Sequence, residues 1–144
     1  MRTLISGVVI IFLVSGCSTL QNVVEAREDG KGTVEVYDVN MDDAWMLAKK
    51  SFRWGGSDAI EEYKEEGYML TSKGMNLVTS GCVMGAWIEE SGDNQTKVTV
   101  ISKRRISTDI TTGMTEDKFH RLFAKGSEIL KSGEELPLST PKLN

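Results

Sequence analysis

The chain of 144 residues carries one histidine, two cysteines and two prolines. Each scarcity excludes something. A zinc site needs three or four His, Cys or carboxylate ligands at suitable spacing, and His120 with Cys17 and Cys82 falls short. Two cysteines allow at most one bridge, so this is no disulfide-stapled scaffold. No apolar run reaches the roughly 20 residues that a membrane-spanning helix needs. Walker and dinucleotide glycine patterns, an EF-hand loop and a nucleophile elbow are all missing. The net charge of −4 argues against nucleic acid, which calls for basic patches.

What is present begins at the N-terminus, "MRTLISGVVIIFLVSGCST". Arg2 precedes an apolar stretch from Leu4 to Val14, broken only by Ser6 and Gly7, and small Ser15 and Gly16 follow. A charged start, an apolar segment of about 7–15 residues and small residues before the cut make a secretory signal peptide. The cysteine directly behind them sets it apart. Val14-Ser15-Gly16-Cys17 resembles the lipobox of bacterial lipoproteins, in which an aliphatic residue and two small residues precede a cysteine. That resemblance implies a diacylglyceryl thioether on Cys17, cleavage between Gly16 and Cys17, and acylation of the new amino terminus. Two or three acyl chains hold a protein firmly on a membrane, where one is marginal. The rival reading is an ordinary cleaved signal whose Cys17 pairs with Cys82. Ser18 stands where Asp would favour the inner membrane, so the family rule points to the outer membrane, facing the periplasm. With Cys17 lipidated, Cys82 is left without a bridging partner and the fold depends on its core.

Residues 1–16 are thus read as the signal peptide, 17–32 as lipidated cysteine and tether, 33–132 as one domain, and 133–144 as an exposed tail. A flexible tether of about 15 residues would reach roughly 20 Å, although "NVVEAR" also suits a strand. In "TVEVYDV", Val34 and Val36 alternate with Glu35 and Tyr37, the period of a half-buried strand. Asn40 suits a helix N-cap, with Asp42 and Asp43 at the positive end of the dipole. Met41, Ala44, Trp45, Ala48 and Phe52 then make an apolar stripe, and Gly55-Gly56 stops the helix. "AIEEYKEEGYMLTSK" reads as a hairpin turning at Glu66-Gly67, or as a helix from Ser57 to Glu66 before a strand; the hairpin is favoured.

"CVMGAWIEE" alternates Cys82, Met84, Ala86 and Ile88 against Val83, Gly85, Trp87 and Glu89. After the polar turn "SGDNQ", "TKVTVISKRRI" returns with Val98 and Val100 on one face. Thr115 suits an N-cap for a last helix, on which Phe119, Leu122, Phe123, Ile129 and Leu130 share a side before Gly133. The expected fold is α+β, a two-layer sandwich in strand–helix–strands–helix order. Its antiparallel sheet has four or five strands and two helices on one face. The strand–helix opening "YDVNMDDAW" and the Gly-bounded meander resemble small domains of periplasmic envelope-assembly lipoproteins, such as the BamC C-terminal domain. The likeness spans most of residues 33 to 131, rests on element pattern, and carries over no functional residue.

The residues with chemistry to offer are few. A Cys82–His120 pair is the single nucleophile–base combination available, against which stands a small apolar strand cysteine and a solvated helix histidine. Glu61, Glu62, Glu65 and Glu66 form an acidic run of the kind that usually covers a solvated surface. Neither pattern supports a catalytic residue, a metal or a cofactor. Lys103-Arg104-Arg105 closes the last strand; it suits edge protection or contact with anionic lipid or glycan. Among the tryptophans, Trp45 belongs to a core stripe and Trp54 to a helix end. Val83, Gly85 and Trp87 would make a flat, gapped apolar face, so Trp87, Arg104 and Arg105 are the candidate partner surface. The expectation is a non-catalytic, lipid-anchored envelope lipoprotein. It binds the membrane through Cys17, takes an envelope protein as partner and no nucleic acid, and serves as a binding or assembly module. A small-ligand binder with a pocket between helices and sheet is the alternative, and a Cys82–His120 hydrolase or transferase is the third reading.

Overall fold

A computed structural model of the chain describes residues 19–57, 59–73, 81–104 and 115–143, with backbone alone at 73 and 104. Gly16, Cys17 and Arg105, and with them the signal-peptide and lipidation reading, lie outside the described residues. The elements are α1 (Leu20–Glu28), β1 (Thr33–Tyr37), α2 (Met41–Trp54), β2 (Ala59–Tyr63), β3 (Tyr68–Lys73), β4 (Cys82–Gly92), β5 (Gln95–Arg104) and α3 (Glu116–Lys131).

The α+β architecture is present as one open antiparallel sheet in the order β1-β5-β4-β3-β2. The favoured hairpin is β2 and β3, paired from Ala59–Ser72 to Tyr63–Tyr68. Gly67 takes φ +76°, and its carbonyl accepts from the Ile88 amide at 2.8 Å, tying the turn to β4. β4 and β5 form the longest pairing, with a register shift between Glu90 and Gly92 and Asn94 in the left-handed region at φ +56°.

Both expected helix caps are made. The Asn40 side chain accepts from the Asp43 amide at 2.8 Å, and Thr115 Oγ1 from the Lys118 amide at 3.1 Å. The helices α2 and α3 bury their stripes on one face of the sheet. Leu47, Ala48, Phe52, Phe119, Leu122 and Phe123 meet Met69, Met84, Ala86, Ile88, Val98 and Val100 there. Where α3 crosses α2, a Cβ at Gly126 would stand 2.6 Å from Leu47 Cδ2, so glycine sets the close approach. Ile129 and Leu130, expected on the apolar side, are half-buried, because Gly126 and Ser127 fill the contact instead.

Three expectations are corrected. The stretch read as a tether is helical from Leu20 to Glu28, with the Thr19 amide donating to Asn22 Oδ1 at 2.7 Å. That helix is docked: Val23 and Ala26 are buried with Leu70, Val83 and Ile101 on the face opposite α2 and α3. Locally the sandwich therefore has a third layer. Second, Val34 and Val36 are 54% and 52% exposed, and it is Tyr37 that packs inward, against Phe123. The valines lie on the α1 side of an edge strand, in register with Thr99 and Lys97, while α1 packs over β3, β4 and β5. Third, the C-terminal segment is not simply exposed. Trp54 Nε1 donates to the Pro137 carbonyl at 3.1 Å and Thr140 Oγ1 to the Trp54 carbonyl at 2.9 Å, so the tail straps the end of α2.

Candidate functional site

The face expected to meet a partner is occupied from within the chain. A Cβ at Gly85 would stand 2.6 Å from the Trp87 ring and 2.9 Å from Val23 Cγ1: the indole folds over the glycine, and α1 sits on both. Trp87 is half-buried and stacks on Tyr68 at 5.6 Å, with the Arg27 guanidinium 6.0 Å from its ring centre. Arg27 also pairs with Glu89 at 3.0 Å, as does Lys97 at 3.1 Å. The flat apolar row of Val83, Gly85 and Trp87 is thus the seat of α1. Arg104 ends β5 opposite Cys82, and Arg105 lies outside the described residues.

The Cys82–His120 pair is not brought together. Cys82 is a buried thiol in the row of Lys73 and Arg104. His120 is also buried, contrary to the solvated position expected, and is held on β1. Its Nε2 lies 3.3 Å from the Thr33 carbonyl and its Nδ1 2.8 Å from the Tyr37 hydroxyl. Thr33 aligns with Val100, and Val100 with Ala86, four residues along β4 from Cys82. Four residues and two strand spacings amount to about 13 Å along the sheet and roughly 10 Å across it. A carbonyl only accepts, so His120 Nε2 carries a proton. The Tyr37 hydroxyl also lies 3.0 Å from Glu35 Oε2, so its single proton faces two acceptors, the Glu35 carboxylate and, when only Nε2 is protonated, His120 Nδ1. Burial first, then the hydrogen bond and charge of Glu35, push the Tyr37 phenol far above its ordinary range. It stays protonated and works as a structural donor.

Part of the acidic run joins β2 to α2. Glu62 accepts from Trp45 Nε1 at 2.7 Å and pairs with Lys49 at 2.8 Å. The Lys49 and Trp45 hydrogen bonds, in that order, lower its carboxyl pKa. Glu61 accepts from the Tyr63 hydroxyl at 3.0 Å, an interaction that raises the Tyr63 phenol. Among the described residues no three His, Cys, Asp or Glu side chains converge as metal ligands.

A groove of about 420 Å³ opens to solvent on the outer side of α2, bordered by Leu138 of the C-terminal strap. Trp45, Met46 and Leu138 give it an apolar lining; Lys49, Lys50 and Arg53 give it three cations, with Asp42 at one end. The spacing of Asp42, Trp45, Met46, Lys49, Lys50 and Arg53 puts one helical face into the groove. Lys49 is committed to Glu62, whereas Lys50 and Arg53 enter no ion pair among the described residues. Leu138 is 95% exposed and Met46 40%. Lys49, Lys50 and Arg53 lie off the apolar stripe of α2; the apolar neighbour of Arg53, Leu138, is 85 residues further on, and the strap brings it there. A second groove, of about 210 Å³, lies where Leu143 meets Arg121, Ala124, Lys125 and Glu128 of α3. The space between helices and sheet, where a ligand pocket was an alternative, holds fully buried Phe52, Phe119, Phe123, Met69 and Met84.

No helix among the described residues is long and apolar enough to cross a membrane. The chain matches no protein-family model, no curated protein and no solved structure.

Proposed function

We propose that this chain is a non-catalytic lipoprotein of the bacterial cell envelope, cleaved between Gly16 and Cys17 and carried on fatty chains at Cys17. Its folded head serves as a periplasm-facing binding or assembly module, at the outer membrane rather than the inner. The sequence around Cys17 supports the anchor. The observation that carries the binding role is the groove on α2, where apolar Met46 and Leu138 lie exposed beside the uncommitted cations Lys50 and Arg53. Exposed apolar side chains rimmed by charge are what recognition surfaces present. The chemistry suits an acidic, amphipathic segment of an envelope protein.

The test is photo-crosslinking in intact cells from a reactive side chain placed at Met46 or Leu138, with Glu90 as a distant control. A discrete protein adduct from the groove positions, lost in the Lys50→Glu/Arg53→Glu variant, is expected. Equal adducts from all three positions refute the groove as the binding face. The same cells test the anchor: Cys17→Ser should leave an unprocessed precursor that takes up no labelled fatty acid, and normal labelling of that variant overturns it. The groove also has the volume of a small-molecule site. A low-mass adduct in place of a protein would transfer the ligand-binding reading to this position.

A further inference from the structure

The outer side of α2 carries a charge pattern that is its own complement. The first turn holds Asp42 and Asp43, and the last two turns hold Lys49, Lys50 and Arg53. Lys49 is taken by Glu62 at 2.8 Å, which leaves Lys50 and Arg53 as cations without an ion pair among the described residues. The acids are scarcely better engaged. Asp42 lies 3.9 Å from Lys64 with its side chain 93% exposed, a surface pair of the kind that contributes little. Asp43 accepts from the Asn40 side-chain amide at 2.9 Å and enters no ion pair among the described residues. Asp42 and Arg53 are eleven residues apart, about 16 Å along the helix. Between them stands exposed Met46, with Leu138 bordering the same groove.

A copy of α2 seated on this side has one favourable direction. Laid parallel and in register, it sets acid on acid and cation on cation. Laid antiparallel, it brings Asp42 and Asp43 of each copy to Arg53 and Lys50 of the other, and the two macrodipoles oppose as well. Asp42 and Lys50 are each four residues from Met46, so a twofold axis close to Met46 satisfies both ends at once. Self-complementarity is what an isologous contact requires, since each residue meets its counterpart's partner twice. The acids that match Lys50 and Arg53 are thus present on the chain's own helix, in equal number.

We propose that the occupant of the α2 groove is a second copy of this chain, with the two α2 helices antiparallel across a twofold axis near Met46. This rests on the groove reading above and names the partner. Helices in contact lie about 8–10 Å apart, a separation at which each copy covers the exposed Met46 and Leu138 of the other. One helix face from each copy makes a small interface. The pair is therefore weak in dilute solution, and crosslinking in place reads it better than dilution does.

The experiment uses the full chain in intact cells, expressed as two differently tagged copies and treated with a short bismaleimide. Met46→Cys should link to its own counterpart, giving an adduct of twice the chain mass that carries both tags, several-fold above Glu90→Cys and the unsubstituted chain. Asp42→Cys should link to Arg53→Cys on the other copy several-fold better than to itself. In the Met46→Cys background, Asp42→Lys and Lys50→Glu/Arg53→Glu should each weaken the adduct several-fold, and the two variants expressed together should regain a mixed one. Failure of the mixed adduct, or Asp42→Cys linking as well to itself as to Arg53→Cys, overturns the antiparallel pair. A Met46→Cys adduct with a different protein and none with its own copy overturns self-pairing and leaves the groove as the binding face. Adducts no stronger from Met46→Cys than from Glu90→Cys overturn both.

Discussion

Gly85→Ala is the sharpest test of how α1 is held. Gly85 lies in the middle of β4, paired with Leu70 on one side and Ile101 on the other, so its backbone is fixed from both directions. An added methyl would stand 2.6 and 2.7 Å from two Trp87 ring carbons and 2.9 Å from Val23 Cγ1. Favourable carbon–carbon contact begins near 3.5 Å, so the indole and α1 must give way. Overpacking of this sort costs about 1–3 kcal/mol. Relief of glycine's backbone entropy, about 0.5–1 kcal/mol, works in the opposite direction and is the smaller effect. With nine residues, α1 falls below the roughly 12–15 at which isolated helices become even marginally stable, so its helicity depends on docking. Local release of α1 is the cheapest response. Hydrogen exchange over residues 20–28 should accelerate roughly five- to 150-fold, the equivalent of about 1–3 kcal/mol, while amides in 96–101 keep their protection. Unchanged exchange over 20–28 together with an unchanged Tm would refute the claim that the glycine gap seats this helix.

Two further outcomes concern packing and pH. Gly126→Ala, despite the better helix propensity of alanine, should lower Tm by pressing on Leu47 Cδ2 at 2.6 Å and the Trp54 ring at 3.2 Å; calorimetry showing an equal or higher Tm would contradict the close crossing. Tyr37 is held protonated in the fold, so above about pH 10 an unfolded tyrosine releases a proton that the folded one keeps. The unfolded state then binds fewer protons and stability falls as pH rises, whereas below about pH 10 the contribution is intact. Tyr37→Phe should flatten the alkaline side of a Tm-against-pH curve, leaving the smaller effect of same sign from Tyr63. It should also cost about 1–3 kcal/mol at neutral pH by leaving His120 Nδ1 unpartnered. An alkaline slope identical to that of the wild type would count against the buried phenol.

Much of this fold was legible because local signals and packing agree. Asn40 and Thr115 are caps by side-chain chemistry, Glu66-Gly67 is a turn because glycine accepts a positive φ, and β4 and β5 alternate over long stretches. The misreadings share a cause, namely contacts between segments distant in sequence. In "LQNVVEARE" adjacent β-branched valines and a weak apolar stripe say little for a helix, and the stabilising partner is the gap at Gly85, some sixty residues away. Tyr37 was read as the polar alternate of two valines, but its ring is buried by Phe123 and its hydroxyl by His120, both on the last helix. The groove on α2 was hidden for the same reason, since the strap that supplies Leu138 is ordered through Trp54. Trp45 and Cys82, by contrast, sit in the core as their spacing indicated.

The strand order has a consequence for how the domain is assembled. From β2 to β5 every strand is joined to its spatial neighbour, so those contacts form over short stretches of chain. β1 instead pairs with β5, Thr33 against Val100, across a very long loop. Non-local pairings of this kind slow folding because the loop must close before the contact rewards it. The first strand must wait for the last one, and the sheet stays unfinished until Gln95–Arg104 is in position.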